Sequence, residues 1–364
     1  MHLHTVLWYG LLVWLLERLY RMFDPDTVRS NVATLIFAVS SQHLLTVTWL
    51  AARNHLIAGC FILLTIMCFH LWRQGKGSRY GVLALLTSAL GLMCAEAGIA
   101  SFAYLGAYAL VYESDKPWAP RLKALLPFVI TVVIWRVTYT HLGYGSSGSG
   151  GYIDPASDPV RFAQTLLLRI PTLLYASSAG AAVVLSMLVG QYFGLWSTRL
   201  ARFYGVGALL ALIPVCAALP NDRLLLNAEF GLSALLAMLF VQVLPRRRLY
   251  TGKLATAAKL LVAVLMTVHL LVYPLATPVM SALFWCPQCQ VHPSFGQRRS
   301  STHAHRVGCT PHQSIGTQWH RRERESGLQQ AAVQSRRLGA SWSLCGHRDG
   351  GHATGQGQNG AIRI

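Results

Sequence analysis

A few ionisable and hydroxyl-bearing side chains interrupt long apolar runs, and their types suit a ligand that carries phosphate and hydroxyl groups. Arg53 and His55 stand in the polar break Arg53-Asn54-His55, and Glu96 stands alone in LMCAEAGIASFAY. Arg136 and His141 close a further run. Tyr152, Asp154 and Asp158 belong to the Gly- and Ser-rich stretch HLGYGSSGSGGYIDPASDP that follows. A guanidinium offers a planar fork of donors that matches phosphate. A carboxylate can accept a proton from a reacting hydroxyl or hold a sugar hydroxyl. Arg53 and Arg136 are equally suited to snorkelling towards lipid phosphates. Glu96 has no cation near it in sequence, so in an apolar setting it needs a partner, a proton or a water-filled cavity. Arg169 and Glu229 come to similar depth in their runs and suit either a buried ion pair or a substrate contact. His43 and His269 read as helix-packing histidines.

Two familiar chemistries are set aside. The glycines of 141–159 lack the Gly-Lys-Ser/Thr ending of a phosphate-binding loop. That stretch reads either as a flexible linker or as a lid whose Tyr152, Asp154 and Asp158 close over a substrate. Asp154 and Asp158 also leave a divalent cation open as a cofactor, although two oxygen ligands are few. In the tail, Cys286-x2-Cys289 and Cys309-x2-His312 have zinc-compatible spacing, but the spacer between them has little to build a knuckle.

These residues must be positioned by membrane-type helices. The chain is 53% hydrophobic and only 12% charged, about half the charge of soluble domains. Its apolar runs are continuous rather than alternating, which favours helices that cross a hydrocarbon core of about 30 Å over a β-barrel. Ten segments are expected, near 3–20, 31–50, 55–72, 80–95, 97–112, 122–141, 161–193, 203–219, 224–244 and 255–273. A break is expected at Cys94-Ala95-Glu96-Ala97-Gly98, and a kink at Pro171. The predicted fold class is therefore an all-α, polytopic transmembrane bundle of residues 1–285, followed by a polar tail, 286–364.

The charge of +18 reads as a topology signal. Before residue 286 there are 21 Lys and Arg against 10 Asp and Glu; afterwards there are 10 Arg, no Lys and 3 acids. In the first part the bases recur in every second loop, which marks those loops as cytoplasmic. They form no stripe of the kind that tracks nucleic-acid phosphates, so no nucleic-acid partner is expected. The other loops, with Arg53, His55, Glu96 and 142–160, then face outward. The amino terminus also falls outside, which points to an absent upstream segment. The tail reads as disordered, or as translated out of frame from a GC-rich gene.

Two stretches carry a family resemblance. VTWLAARNHLIAG, Val47–Gly59, resembles the pattern in which an apolar helix ends in Trp-x3-Arg before the next helix. LMCAEAGIASFAYLGAYALVYE, Leu92–Glu113, resembles a companion pattern, a helix break with Glu before a second apolar run. Both occur in this order in GT-C-type glycosyltransferases, especially the membrane half of O-mannosyltransferases that carry tetratricopeptide repeats. The resemblance spans roughly residues 1–280. It implies a multi-pass protein of the bacterial inner (plasma) membrane that takes a sugar from a polyprenyl-phosphate carrier at the outer face. An acceptor hydroxyl would attack the anomeric carbon while the lipid phosphate leaves. Arg53, or next Arg136, would stabilise that phosphate, and Glu96 would orient Arg53 or hold the sugar. The family's acidic first outer loop would precede Met1, so the resemblance implies a truncated copy without its base. Relatives carry Lys before the matched Glu, where this chain has Ala95. A transporter or flippase-like carrier, and a non-catalytic protein whose outer polar groups only pack, are the competing readings.

Overall fold

The computed structural model describes residues 2–144, 152–176, 195–218, 222–243, 253–272 and 275–276. The chain divides into two units, Met1–Val291 and His292–Ile364, and all described residues lie in the first. The tail and its Cys/His pairs lie outside the described residues, as do 145–151, Arg246 to Arg248 and the second half of the seventh expected segment. Among the described residues the structure is helical, with no strand.

Eleven α-helices are described: α1 His2–Phe23, α2 Thr27–Ala38, α3 Leu44–Thr48, α4 Arg53–Arg73, α5 Ser78–Cys94, α6 Ala100–Val111, α7 Trp118–His141, α8 Pro159–Ala176, α9 Arg199–Val215, α10 Leu226–Val243 and α11 Lys253–Thr267. A π-helical turn, Val268–Val272, continues α11. Pro171 lies inside α8. Helix α4 packs on α1 and α5, α6 on α9, and α10 on α9 and α2. Among the described residues, two helices, α4 and α7, are long and apolar enough to cross a membrane.

The core is aromatic and joined by hydroxyls. Phe23 stacks on Phe203 at 4.9 Å and tilts against His70 at 4.3 Å. Tyr20 donates to the Phe230 carbonyl at 2.6 Å. Tyr104 donates to the Asn227 carbonyl at 2.8 Å and accepts from the Gly231 amide at 3.1 Å. These bonds bridge helices, so the Tyr20 and Tyr104 hydroxyls are satisfied while they fix a register. Gly231 is needed for the closest approach, because a Cβ there would sit 2.3 Å from the Tyr204 carbonyl oxygen.

Among the described residues, the basic loops after α1, α4 and α6 and before α9 lie at one end of the bundle, where Phe23 meets His70, Tyr112 and Phe203. Arg29 clasps Asp24 through Nε and Nη2, both at 2.7 Å. Asp26 caps α2, accepting from the Val28 and Arg29 amides. Glu113 takes Arg73 at 2.6 Å and Lys116 at 2.9 Å. Arg199 pairs with Asp115 at 2.8 Å. Arg121 donates to the carbonyls of Ala109 in the last turn of α6 and of Ser114 and Lys116 beyond it. Basic side chains suit helix C-termini for this reason.

Two expectations about helix ends are corrected. The second apolar run is not one helix over 31–50. Helix α2 stops at Ala38, and residues 41–52 form two single 3-10 turns around the short α3. The polar run Ser40-Ser41-Gln42-His43 weakens helix continuation there. Arg53-Asn54-His55 is consequently no turn; it forms the first turn of α4. The expected break near Glu96 is present. Ala95 is extended, and Glu96–Ile99 makes a 3-10 turn before α6.

Candidate functional site

The end of the bundle opposite the basic loops is assembled from both helix breaks, the C-terminus of α7, the stretch 152–158 and the ends of α9 and α10. Gly98 lets the Glu96–Ile99 turn fold directly onto α5. A Cβ at Gly98 would lie 2.4 Å from the carbonyl carbon and oxygen of Gly91. This close fit sets the direction in which Glu96 leaves the bundle.

Glu96 is exposed, and its carboxylate accepts a hydrogen bond from the Tyr139 hydroxyl of α7. One turn earlier on the same helix, Arg136 donates to Asp154 at 2.7 Å, joining α7 to the stretch after the Gly/Ser run. Asp154 also accepts from the Ala156 amide at 3.1 Å, which closes a small turn. Tyr152 lies within the field of the same groups. Burial first, and then the negative charge of Glu96, push its phenol above the usual tyrosine value, while Arg136 works the other way. Glu96, Tyr139, Arg136, Tyr152 and Asp154 thus form one polar cluster.

Asp158 has a structural task. It accepts from the Arg161 amide at 3.0 Å and caps α8, with Pro159 in the first helical position. The stretch is tied down further by the Ile153 amide, which donates to the Ala217 carbonyl at 2.8 Å. Arg169 of α8 donates to the carbonyls of Cys216 and Ala218 at 2.8 and 2.7 Å. Residues 152–158 are therefore anchored on α7, α8 and the end of α9.

Arg53 and His55 are half-buried in the first turn of α4. No hydrogen bond or ion pair joins Arg53 to Glu96, and Arg53 makes none with any other described residue. Its guanidinium remains available to an anion. His141 is exposed at the end of α7. Among the described residues no group of three or more His, Cys, Asp and Glu side chains could hold a metal ion. The Arg169 and Glu229 side chains take different partners. Glu229 faces His43 at 3.6 Å, and both are 2% exposed. His43, in the 3-10 turn Ser41–His43, therefore packs at the α2 break against a carboxylate.

Tyr139 was not among the sequence candidates. Its signal was the three-residue spacing from Arg136, which puts both on one helix face. Asn227, whose Nδ2 donates to the Ala97 carbonyl at 3.2 Å, ties α10 to the Glu96 turn and carried no sequence signal. No family model, curated protein or solved structure matches the chain.

Proposed function

We propose that the chain is a multi-spanning membrane protein of GT-C type, related to the membrane half of O-mannosyltransferase-like enzymes, which takes a sugar from a polyprenyl-phosphate carrier at its outer face. The ten-segment topology and the plasma-membrane location belong to this reading. The membrane part is supported by α7. Its 24 residues span about 36 Å, and Leu126, Ile130, Val133, Ile134 and Val137 along it are exposed. Such an apolar surface calls for hydrocarbon around it.

The observation that carries the site is the gathering of the polar cluster at the end opposite the basic loops, beside an Arg53 whose side chain has no partner among the described residues. In this reading Arg53 takes the lipid phosphate, with His55 next to it. Arg136 and Asp154 hold the 152–158 stretch across the end. Glu96 and Tyr139 offer an acceptor and a hydroxyl to the sugar, with Tyr152 beside them. The acceptor hydroxyl attacks the anomeric carbon and the phosphate leaves with the bonding electrons. Positive charge at Arg53 favours that departure. No general base is assigned among these residues.

The test uses membranes containing the full chain and radiolabelled mannosyl and glucosyl polyprenyl phosphates. Transfer of label to protein or lipid is expected, with Arg53→Ala lowering it at least tenfold. Polyprenyl phosphate should also bind the purified chain in native mass spectrometry. A chain that neither transfers label nor retains the lipid overturns the reading.

The two breaks, 39–52 and 95–99, give a carrier reading some support, because transporters place ligands at discontinuous helices. Movement of the same lipids across vesicles without transfer of the sugar would favour it.

A further inference from the structure

The turn after α4 and the loop after α6 form a cationic surface at the end of the bundle away from the Glu96 cluster. Residues 73–80 and 112–123 carry Arg73, Lys76, Arg79, Lys116, Arg121 and Lys123 against two acids, Glu113 and Asp115. One oxygen of Glu113 takes Arg73 at 2.6 Å and Lys116 at 2.9 Å, so the two segments meet and these two cations are neighbours. Asp115 is matched by Arg199 at 2.8 Å. Helix α5 starts against the same place: a Cβ at Gly81 would lie 2.9 Å from the Trp72 ring, which is 5.5 Å from the Arg73 guanidinium carbon. The Phe69 and Phe128 rings, 5.5 Å apart, bring the first half of α7 to the last turns of α4. Lys76, Arg79, Lys116 and Lys123 are exposed, and Lys76, Arg79 and Lys123 form no ion pair among the described residues. Positive charge therefore exceeds negative charge here. Attraction to an anionic headgroup acts over about a Debye length, roughly 10 Å, so these cations need not touch one phosphate together.

Two features select a phospholipid among anions. Aromatic rings stand at the level of the cations. Arg121 lies over the exposed Trp118 at 4.6 Å, and Arg79 over Tyr80 at 5.0 Å. Such rings favour the boundary between headgroups and hydrocarbon. Exposed apolar rows then begin one turn into each helix. They are Val82, Leu86 and Leu90 on α5, and Leu122, Leu126 and Ile130 on α7, each spaced by four residues along one face. Helices α5 and α7 pack on each other and both start at this end. A free phosphate or a nucleic acid would use the cations and leave these rows bare. Acyl chains cover them.

We infer that this surface binds an anionic glycerophospholipid of the bilayer, with Lys76, Arg79, Lys116 and Lys123 around its headgroup and its acyl chains along α5 and α7. The inference rests on the membrane half of the proposed function and not on sugar transfer. Lipid preference and transfer of label are read separately, so either can fail alone.

The purified full chain in neutral detergent is titrated with brominated phosphatidylglycerol or brominated phosphatidylcholine, and quenching of tryptophan emission is followed. Phosphatidylglycerol is expected to quench saturably and to bind about tenfold more tightly. Lys76→Gln and Lys116→Gln should each weaken it about fivefold. Lys76 has no ion pair to lose, so its variant decides the matter if Lys116→Gln fails to fold. Arg18→Gln, an exposed site on α1 outside both loops, should leave the affinity unchanged. Trp118→Phe should remove much of the quenching, which places the lipid. Equal affinity for the two lipids would overturn the inference, as would a preference that survives both lysine variants. Quenching that persists unchanged in Trp118→Phe would place the lipid elsewhere and overturn it too. So would displacement by glycerol phosphate at the same concentration, because the apolar rows would then contribute nothing.

Discussion

Gly98→Ala tests how the Glu96 turn is held. The added Cβ would meet the Gly91 carbonyl carbon and oxygen at 2.4 Å and the Leu92 amide nitrogen at 2.6 Å. Carbon contacts settle near 3.5–4.0 Å, so the turn must retreat from α5 by about 1 Å. The opposing atoms are helical backbone, which cannot swing aside as a side chain does. The cost therefore lies at the upper end of the range for overpacking, about 3 kcal/mol. For a chain of 364 residues that corresponds to about 4 °C in the unfolding midpoint. Gly106→Ala is the matched control. It lies within α6, and the nearest atom to its added Cβ is Leu210 Cδ1 at 3.9 Å. Helix propensity favours Ala there, so its midpoint should hold or rise. Both variants are compared with the parent in one detergent by tryptophan fluorescence on heating. A Gly98→Ala midpoint within about 1 °C of the parent would refute the argument that this close approach fixes the turn.

Three further outcomes follow from the same geometry. Asp158→Ala removes the cap of α8 and should cost about 1 kcal/mol, while Asp158→Asn should lose little; urea midpoints in mild detergent compare them. Glu113→Ala leaves Arg73, whose side chain is 15% exposed, without its carboxylate. It should cost about 3 kcal/mol, read as a lowered thermal midpoint that Glu113→Gln recovers only in part. The Tyr152 phenol has an elevated pKa, so the folded chain holds this proton more tightly than the unfolded one. Its contribution is intact below the ordinary value of 10.0 and is lost as pH rises through the folded value. Tyr152→Phe should therefore flatten the fall in midpoint above about pH 10, and an unchanged slope would count against the cluster.

Much of the helical frame was legible because it depends on local composition. The apolar runs predicted helices within a few residues of α4, α5, α7, α9 and α10. Alternating basic loops predicted which ends lie together, and the Arg73–Glu113 and Arg199–Asp115 pairs join loops of the same expected side. The Glu96 break was legible too, as a charged residue between Ala and Gly in an apolar setting. The break after Ala38 was not. Averaged over a window, QHLLTVTWL reads as membrane-type sequence, and Gln42, His43 and Thr46 are few enough to vanish in the average. What accommodates His43 is tertiary: its ring lies 4.3 Å from Phe37, and its Nε2 faces Glu229, 186 residues away.

The same distinction separates the site residues. Arg136 and Glu96 were visible as charges in apolar runs, whereas their partners depend on which helices become neighbours. Orienting Arg53 was one of two roles the resemblance implied for Glu96, the other being to hold the sugar. Instead Glu96 turns to Tyr139, and the first turn of α4 keeps Arg53 free of any described protein partner. A paired Arg53 would have to give up an ion pair before it could take a phosphate. With no side-chain partner for Arg53 among the described residues, that cost does not arise. Asn227 extends the argument inward. Its Nδ2 holds the Ala97 carbonyl beside Glu96, and it stands two residues before Glu229 on α10. A displacement of α10 would therefore act on the turn that aims Glu96.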